Sequence, residues 1–345
     1  MKRLTHPAAT PPRTAAGPSS TADAAAGAAE DATPDRAAHG AGSARVCAEA
    51  GADDTPLPAP LSADDVGLVH HGDNLPFLRA LPDAIADLIY IDPPFNTGRT
   101  QARRELRTTR DDAGDRRGFQ GARYKTETLG VRSFADRFDD YLGFLEPRLE
   151  EARRVLKPTG SLYFHIDYRE VHYCKVLLDG IFGRACFLNE IIWAYDYGAR
   201  PKRKWPAKHD NILLYVRDPD AYYFDEEAID RIPYMAPGLV GPEKAARGKL
   251  PTDTWWHTIV SPTGKEKLGY PTQKPLGIVS RIVRASCPPG GLALDFFAGS
   301  GTLGEAARRE GRRFILVDQS AEAIAVMQRR FGDAPGIRYS RAADA

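Results

Sequence analysis

From residue 61 onward, short apolar runs alternate with stretches whose apolar positions recur every three or four residues. Val66–His70, Ala86–Ile91, Ser161–Ile166, Asn189–Tyr195, Asn211–Val216, Gly291–Asp295 and Arg313–Asp318 read as strands. Asn74–Leu81, Ser133–Leu156, Arg169–Phe182, Leu276–Ala285, Thr302–Glu310 and Ala321–Arg330 read as helices. The second of these places Phe134, Phe138, Leu142, Leu145, Leu149 and Val155 near helical spacing, and Lys157-Pro158-Thr159-Gly160 reads as the turn that ends it. Strands that alternate with helices predict an α/β, doubly wound, mostly parallel sheet covered on both faces.

Three stretches do not fit this rhythm. Residues 1–60 hold 19 Ala, 8 Pro and 5 Gly and no Phe, Trp, Tyr or Ile. Such a segment buries too little apolar surface to offset its ordering entropy, so a disordered tail is expected. Residues 99–132 carry ten Lys and Arg against five Asp and Glu without clear periodicity, and read as a mobile basic loop. Residues 218–269 are irregular and hold the pair Trp255-Trp256, read as core. The expected organisation is a tail (1–60), one half-domain (61–217), an irregular recognition region (218–269) and a second half-domain (270–345).

Composition narrows the function classes by exclusion. The 345 residues contain 47 Lys and Arg against 46 Asp and Glu, so a polyanionic partner must be argued from local patches. The clearest is Arg200, Lys202, Arg203, Lys204 and Lys208, with Trp205 among them. The four cysteines, Cys47, Cys174, Cys186 and Cys287, form no C-x-x-C pair, which argues against a zinc module or disulfide scaffold, and no metal site is expected. No long apolar run or apolar signal segment occurs, so a cytoplasmic protein is expected.

Two turns carry the chemistry. Leu294-Asp-Phe-Phe-Ala-Gly-Ser-Gly-Thr-Leu-Gly304 joins a strand to a helix. Gly299 and Gly301 permit a tight turn and close approach of a ligand to backbone N–H groups. Asp318 ends the next strand, where a carboxylate can accept ribose hydroxyls. Taken alone this turn leaves a nicotinamide-dependent oxidoreductase open. Only 44 residues follow Gly301, however, so the fold would be circularly permuted. Asp295, directly before the turn, suits a cationic amine better than a pyrophosphate.

The second turn is Asp92-Pro93-Pro94-Phe95, at the end of the apolar run Ala86–Ile91. Prolines stop the strand, and strand carboxyl ends line the ligand crevice of a doubly wound sheet. Asp92 and the Pro93 carbonyl can both accept hydrogen bonds from one exocyclic amine, while Phe95 offers a stacking face for a planar base. His165 and His172 read as structural.

Together these motifs resemble the S-adenosylmethionine-dependent DNA amino-methyltransferases that modify adenine N6 or cytosine N4. The order, with the Asp-Pro-Pro-Phe tetrad first, Tyr270-Pro-Thr-Gln-Lys-Pro275 late and the glycine turn last, is similar to the permuted β class. The resemblance spans residues 64–332. It implies a Rossmann-like methyltransferase fold with a seven-stranded sheet, often dimeric. It implies Asp92, Pro93, Pro94 and Phe95 as catalytic residues. For S-adenosylmethionine it implies Asp73, Thr272, Gln273, Lys274, Asp295, Phe296, Gly299, Gly301, Thr302 and Asp318. His209-Asp210-Asn211-Ile212 resembles the segment beside the base pocket. The usual tetrad aromatic is Tyr; Phe95 keeps the ring. Asp rather than Ser at 92 favours adenine N6, with cytosine N4 as the alternative. Cytosine C5 chemistry needs a thiol nucleophile, typically in a Pro-Cys pair, and none occurs. The implied partners are double-stranded DNA, bound through the basic cluster, a second copy of the chain and a cognate restriction endonuclease, with nucleoid-associated DNA as the place of action.

Overall fold

The structure is a computed structural model. It describes residues 61–342 apart from 63, 97–98, 111–115, 118–122, 137, 198–200 and 262–263, and of 99–136 it describes the backbone. The expected tail (1–60) and Arg200 lie outside the described residues.

The chain order is β1 (Gly67–His71), α1 (Asn74–Ala80), β2 (Ala86–Ile91), β3 (Arg99–Arg110), β4 (Arg116–Arg117), β5 (Arg123–Asp136), α2 (Tyr141–Val155), β6 (Leu156–Asp167), α3 (Val171–Phe182), β7 (Phe187–Ala194) and β8 (His209–Val216). It continues with α4 (Pro242–Arg247), β9 (Thr254–Trp256), α5 (Leu276–Ser286), β10 (Leu292–Asp295), α6 (Thr302–Arg309), β11 (Arg313–Asp318), α7 (Ala321–Phe331) and β12 (Ile337–Arg341).

The main sheet runs β12-β1-β11-β10-β2-β6-β8-β7-β9. Its central seven strands are the expected ones, but the sheet has nine. Strand β12 adds in parallel to β1, and β9 adds in parallel to β7. Both are short edge strands without a continuous apolar run, which is why the hydrophobic pattern did not announce them. Within this sheet and among the described residues, pairing is antiparallel only where β8 meets β6 and β7.

Alternation along each strand divides the core. Ile89, Ile91, Leu162, Phe164, Leu213 and Ile315 face Phe77, Leu78, Leu145, Leu149 and Leu178 of α1, α2 and α3. Leu88, Tyr90, Tyr163, Leu214, Ala293 and Leu316 face Ile278, Ile282, Leu303, Ala306 and Met327 of α5, α6 and α7. Both faces are therefore covered, and the central strands read as near-continuous apolar runs.

Three local expectations need correction. The described parts of 99–132 are strands and not a loop: β3 and β5 form a long antiparallel pair, with β4 added to β5. Charged residues occupy both alternation phases of these strands, so no apolar face marks them in the sequence. The helix expected at Ser133 begins at Tyr141, because β5 runs on to Asp136 and Asp140 caps the helix by accepting from Gly143 N–H at 2.8 Å. The turn Lys157–Gly160 lies inside β6. Ala86 pairs with Leu156 and Leu88 with Ser161, so the extra residues form an irregularity of the strand rather than a break.

Candidate active site

The strand order reverses between β10 and β2. From β10 the chain continues to neighbouring β11, and β2 has β6 on its other side. Ligands of open α/β sheets bind at the carboxyl ends of strands at such a switch point. The pairing Leu294↔Ile89 brings the glycine turn and the Asp-Pro-Pro-Phe tetrad, some 200 residues apart in sequence, to adjacent strand ends.

The tetrad is braced from outside. Tyr141 donates its hydroxyl to the Pro94 carbonyl at 2.6 Å. Asn96, next after Phe95, has φ 49°, a left-handed conformation that Asn tolerates better than most residues. Its side chain holds that turn by donating to Glu170 Oε1 at 3.0 Å and accepting from Phe138 N–H at 3.2 Å.

The two oxygens of Asp92 differ. Oδ2 pairs with the Lys274 ammonium. Oδ1 is buried and accepts no hydrogen bond from the described residues. His165 Nδ1 stands 4.0 Å from Oδ1, too far for a hydrogen bond. His165 is fully buried, with Nδ1 2.9 Å from the Tyr90 hydroxyl and Nε2 3.3 Å from Asp210 Oδ2. Tyr195 donates to the other Asp210 oxygen at 3.1 Å. Burial acts to raise the Asp210 carboxyl, but the His165 hydrogen bond and charge, Lys274 and Tyr195 outweigh it and hold the group below its ordinary value. The Phe95 ring centroid lies 5.9 Å from that of His165 and 5.0 Å from Lys274 Nζ.

The cofactor-side residues divide by what they touch. Asp295 is buried; Oδ1 accepts from Phe297 N–H at 2.9 Å. Burial pushes its carboxyl well above the usual range, and the Asp92 and Asp318 charges add to this. Asp318 accepts from Gly299 N–H at 2.7 Å and Ser320 N–H at 2.8 Å, so it also braces the glycine turn; burial raises its carboxyl too. Gly299 and Gly301 have φ 51° and 72°. A Cβ on Gly299 would stand 3.0 Å from the Tyr270 ring.

The Phe296 side chain belongs to the core, and its carbonyl accepts from Asn74 at 2.7 Å. Asp73 caps α1 and pairs with Arg148 at 3.1 Å. Gln273 is buried and spends both ends of its amide within its own loop, on Leu268 N–H and the Glu266 carbonyl. Thr272 is exposed. Thr302 donates to the Lys274 carbonyl at 3.3 Å. Sequence reading thus placed Lys274 with the cofactor residues, while its ammonium lies on Asp92; it also read His165 as structural, although His165 adjoins the tetrad. The signal was available in the position of His165 near the end of β6, the strand beside β2.

Of the basic cluster, Lys202, Arg203 and Lys204 are exposed beside an almost fully exposed Trp205, while Lys208 is half-buried and donates to the Tyr197 carbonyl. Trp255 is buried and Trp256 exposed, so only the first of that pair is core. Among the described residues no cluster of side chains could hold a metal. Cys174, Cys186 and Cys287 are buried and free, and burial pushes the Cys174 and Cys287 thiols up to about 12.

Residues 86–329 match the DNA methylase family. The chain belongs to that family. Type II methyltransferase M.HpaI of Haemophilus parainfluenzae is 30% identical over 253 residues, covering 73% of this chain and 70% of that protein. The DNA adenine methyltransferase YhdJ of Escherichia coli (strain K12) is 28% identical over 273 residues, covering 75% and 81%. In fold, the methylase superposes on the PvuII DNA methyltransferase (cytosine-N4-specific) with a TM-score of 0.52 at 16% identity, covering 78% of this chain and 87% of that one.

The methylase is an S-adenosylmethionine-dependent DNA amino-methyltransferase. Its residues fit that cofactor. The acids Asp73, Asp295 and Asp318 stand at or just beyond the ends of the neighbouring strands β1, β10 and β11, and Asp295 is buried without an ion-pair partner among the described residues. Such a set suits a ligand with cationic and hydroxyl groups. Among the described residues no helix is long and apolar enough to cross a membrane.

Proposed function

We propose that this methylase modifies the exocyclic N6 of adenine in double-stranded DNA after the base has left the helix. The observation that carries the reading is the bare, buried Oδ1 of Asp92, in a tetrad whose Phe95 ring lies near the same Lys274 ammonium that pairs with Asp92. A buried carboxylate oxygen without a donor costs roughly 1–3 kcal/mol or more, so a ligand that brings an N–H there is favoured. An adenine amine brings two: one for Asp92 Oδ1 and one for the Pro93 carbonyl.

S-adenosylmethionine, which Asp73, Asp295, the Gly299–Thr302 turn, Asp318 and the Thr272–Gln273 loop would hold, would supply an electrophilic sulfonium methyl. As the nitrogen–methyl bond forms, the sulfur–methyl bond breaks, the thioether leaves and the amine gives up one proton to solvent. Asp92 and Pro93 orient the amine and favour the pyramidal nitrogen, whose lone pair is otherwise delocalised into the ring. Phe95 stacks on the extruded base and offsets part of the unstacking cost of a few kcal/mol. Lys202, Arg203, Lys204 and Lys208, with Arg200, bind phosphates and supply affinity rather than sequence preference. The choice of bases falls to residues 218–269.

Asp at position 92, rather than Ser, supports adenine over cytosine. A homodimer, a cognate restriction endonuclease and action on nucleoid DNA in the cytoplasm complete the proposal, as the family resemblance implies. The test is transfer of labelled methyl from S-adenosylmethionine into mixed-sequence duplex DNA, followed by nucleoside mass analysis. Labelled N6-methyladenine is the expected product; labelled N4-methylcytosine alone would overturn the choice of base.

A further inference from the structure

Lys274 ties the two halves of the permuted site together. Its backbone carbonyl accepts from Thr302, the first residue of the helix that follows the glycine turn. Its ammonium pairs with Asp92 Oδ2 and lies 5.0 Å from the Phe95 ring centroid. The side chains of the pair are only 11% and 14% exposed, so water screens this interaction weakly. A charge-assisted bond of this kind also fixes direction. With Oδ2 held, the carboxylate cannot rotate freely, and Oδ1 is left bare at the strand end.

We infer that Lys274 is a positioning residue for Asp92 rather than a ligand of the cofactor: it occupies one carboxylate oxygen, fixes the orientation of the group and presents the other oxygen to the target amine. This rests on the amino-transfer reading above. Among the described residues, the other titratable groups near Asp92 are His165 from β6, Tyr90 from β2, Asp295 from β10 and Tyr270. Asp295 and the two phenols supply no cation, and His165 has its ring nitrogens turned to Tyr90 and Asp210. Lys274 is the full cation that touches Asp92 among the described residues.

The test uses the full chain with Lys274→Met, Lys274→Gln and Lys274→Arg. Single-turnover methyl transfer into DNA is followed at neutral pH, and S-adenosylmethionine binding is titrated separately. Losing a hydrogen bond between charged groups predicts a rate about 10- to 100-fold lower at neutral pH in the Met and Gln variants. Their cofactor affinity stays near wild type, so the loss falls on the single-turnover rate and not on S-adenosylmethionine binding. Lys274→Arg recovers most of the rate. Cofactor binding doubles as the check on folding. If the Met variant loses it, the Gln variant, which is neutral and polar but one bond shorter than Lys, carries the comparison. A fall in cofactor affinity matching the fall in rate in both neutral variants would overturn the assignment and return Lys274 to the cofactor. So would rates like wild type, or an Arg variant no faster than the neutral ones. A wild-type chain that labels no DNA base overturns the amino-transfer reading and this assignment with it, whereas an active wild type with unaltered variants overturns the assignment alone.

Discussion

Gly301 and Gly290 share almost the same backbone conformation, φ 72° and 73°, but not the same surroundings. A Cβ on Gly301 would lie 2.7 Å from Met327 Cγ and 3.3 Å from Leu316 Cδ1, both fully buried. A Cβ on Gly290 meets nothing within 4 Å. Alanine at either site costs about 1–2 kcal/mol for the left-handed conformation, partly offset by about 0.4–1 kcal/mol gained through the unfolded chain. Those terms cancel in the comparison. What remains at Gly301 is overpacking, about 1–3 kcal/mol. Gly301→Ala should therefore unfold at lower urea than Gly290→Ala, with the same dependence on denaturant, by that difference in free energy. Gly301 also begins α6 at the cofactor turn, so its variant should weaken S-adenosylmethionine binding while Gly290→Ala does not. Equal urea midpoints for the two variants would refute the packing argument, and unchanged cofactor binding in Gly301→Ala would refute the placement of the turn.

Other outcomes follow from the same geometry. Asp92→Ala should abolish transfer while leaving S-adenosylmethionine binding measurable by titration; retained transfer would remove Asp92 from the chemistry. Burial raises the Asp295 carboxyl in the fold, so the fold binds its proton more tightly than the unfolded chain does. Stability from this group is present at low pH and is lost as pH rises through the folded value, so Asp295→Asn should gain on wild type as pH rises from about 4 toward neutral and beyond. Urea melts across that range check it, and a constant difference would show that the charge is not what matters. Replacing Lys202, Arg203 and Lys204 with Ala should flatten the salt dependence of DNA binding by up to about 0.9 in logarithmic slope for each phosphate that is no longer neutralised. An unchanged slope would place the DNA elsewhere.

The fold was legible wherever a strand is buried on both faces. Leu88–Ile91 and Phe314–Val317 are continuous apolar runs because helices cover both sides of them, and such runs stand out in any sequence. The pair β3 and β5 has no such run, since charged residues fall on both of its alternation phases, and a charge-rich strand looks like a loop. The start of β6 was hidden for a different reason. Pro158 and Gly160 are turn residues by local chemistry, yet neighbouring β2, where Ala86 pairs with Leu156, keeps the segment in the sheet.

The site divides along the same line between local and non-local causes. Asp92-Pro-Pro-Phe and the glycine turn could be read because their residues act through their own backbone: prolines end a strand, and Gly299 and Gly301 adopt conformations that other residues resist. Lys274, His165 and Asp210 could not be read this way, because each acquires its role from a neighbour brought by sheet order. The histidine sits on β6 between β2 and β8; Asp92 reaches it from one side and Asp210 from the other. Lys274 reaches Asp92 because β10 inserts beside β2, a pairing that joins the two residues across 182 positions of sequence. Circular permutation alters which residues are near in sequence without altering which strand ends are near in space. A motif whose function is set by its own backbone therefore survives permutation in readable form, while a side chain whose function is set by the adjoining strand becomes legible only once the order of the sheet is known.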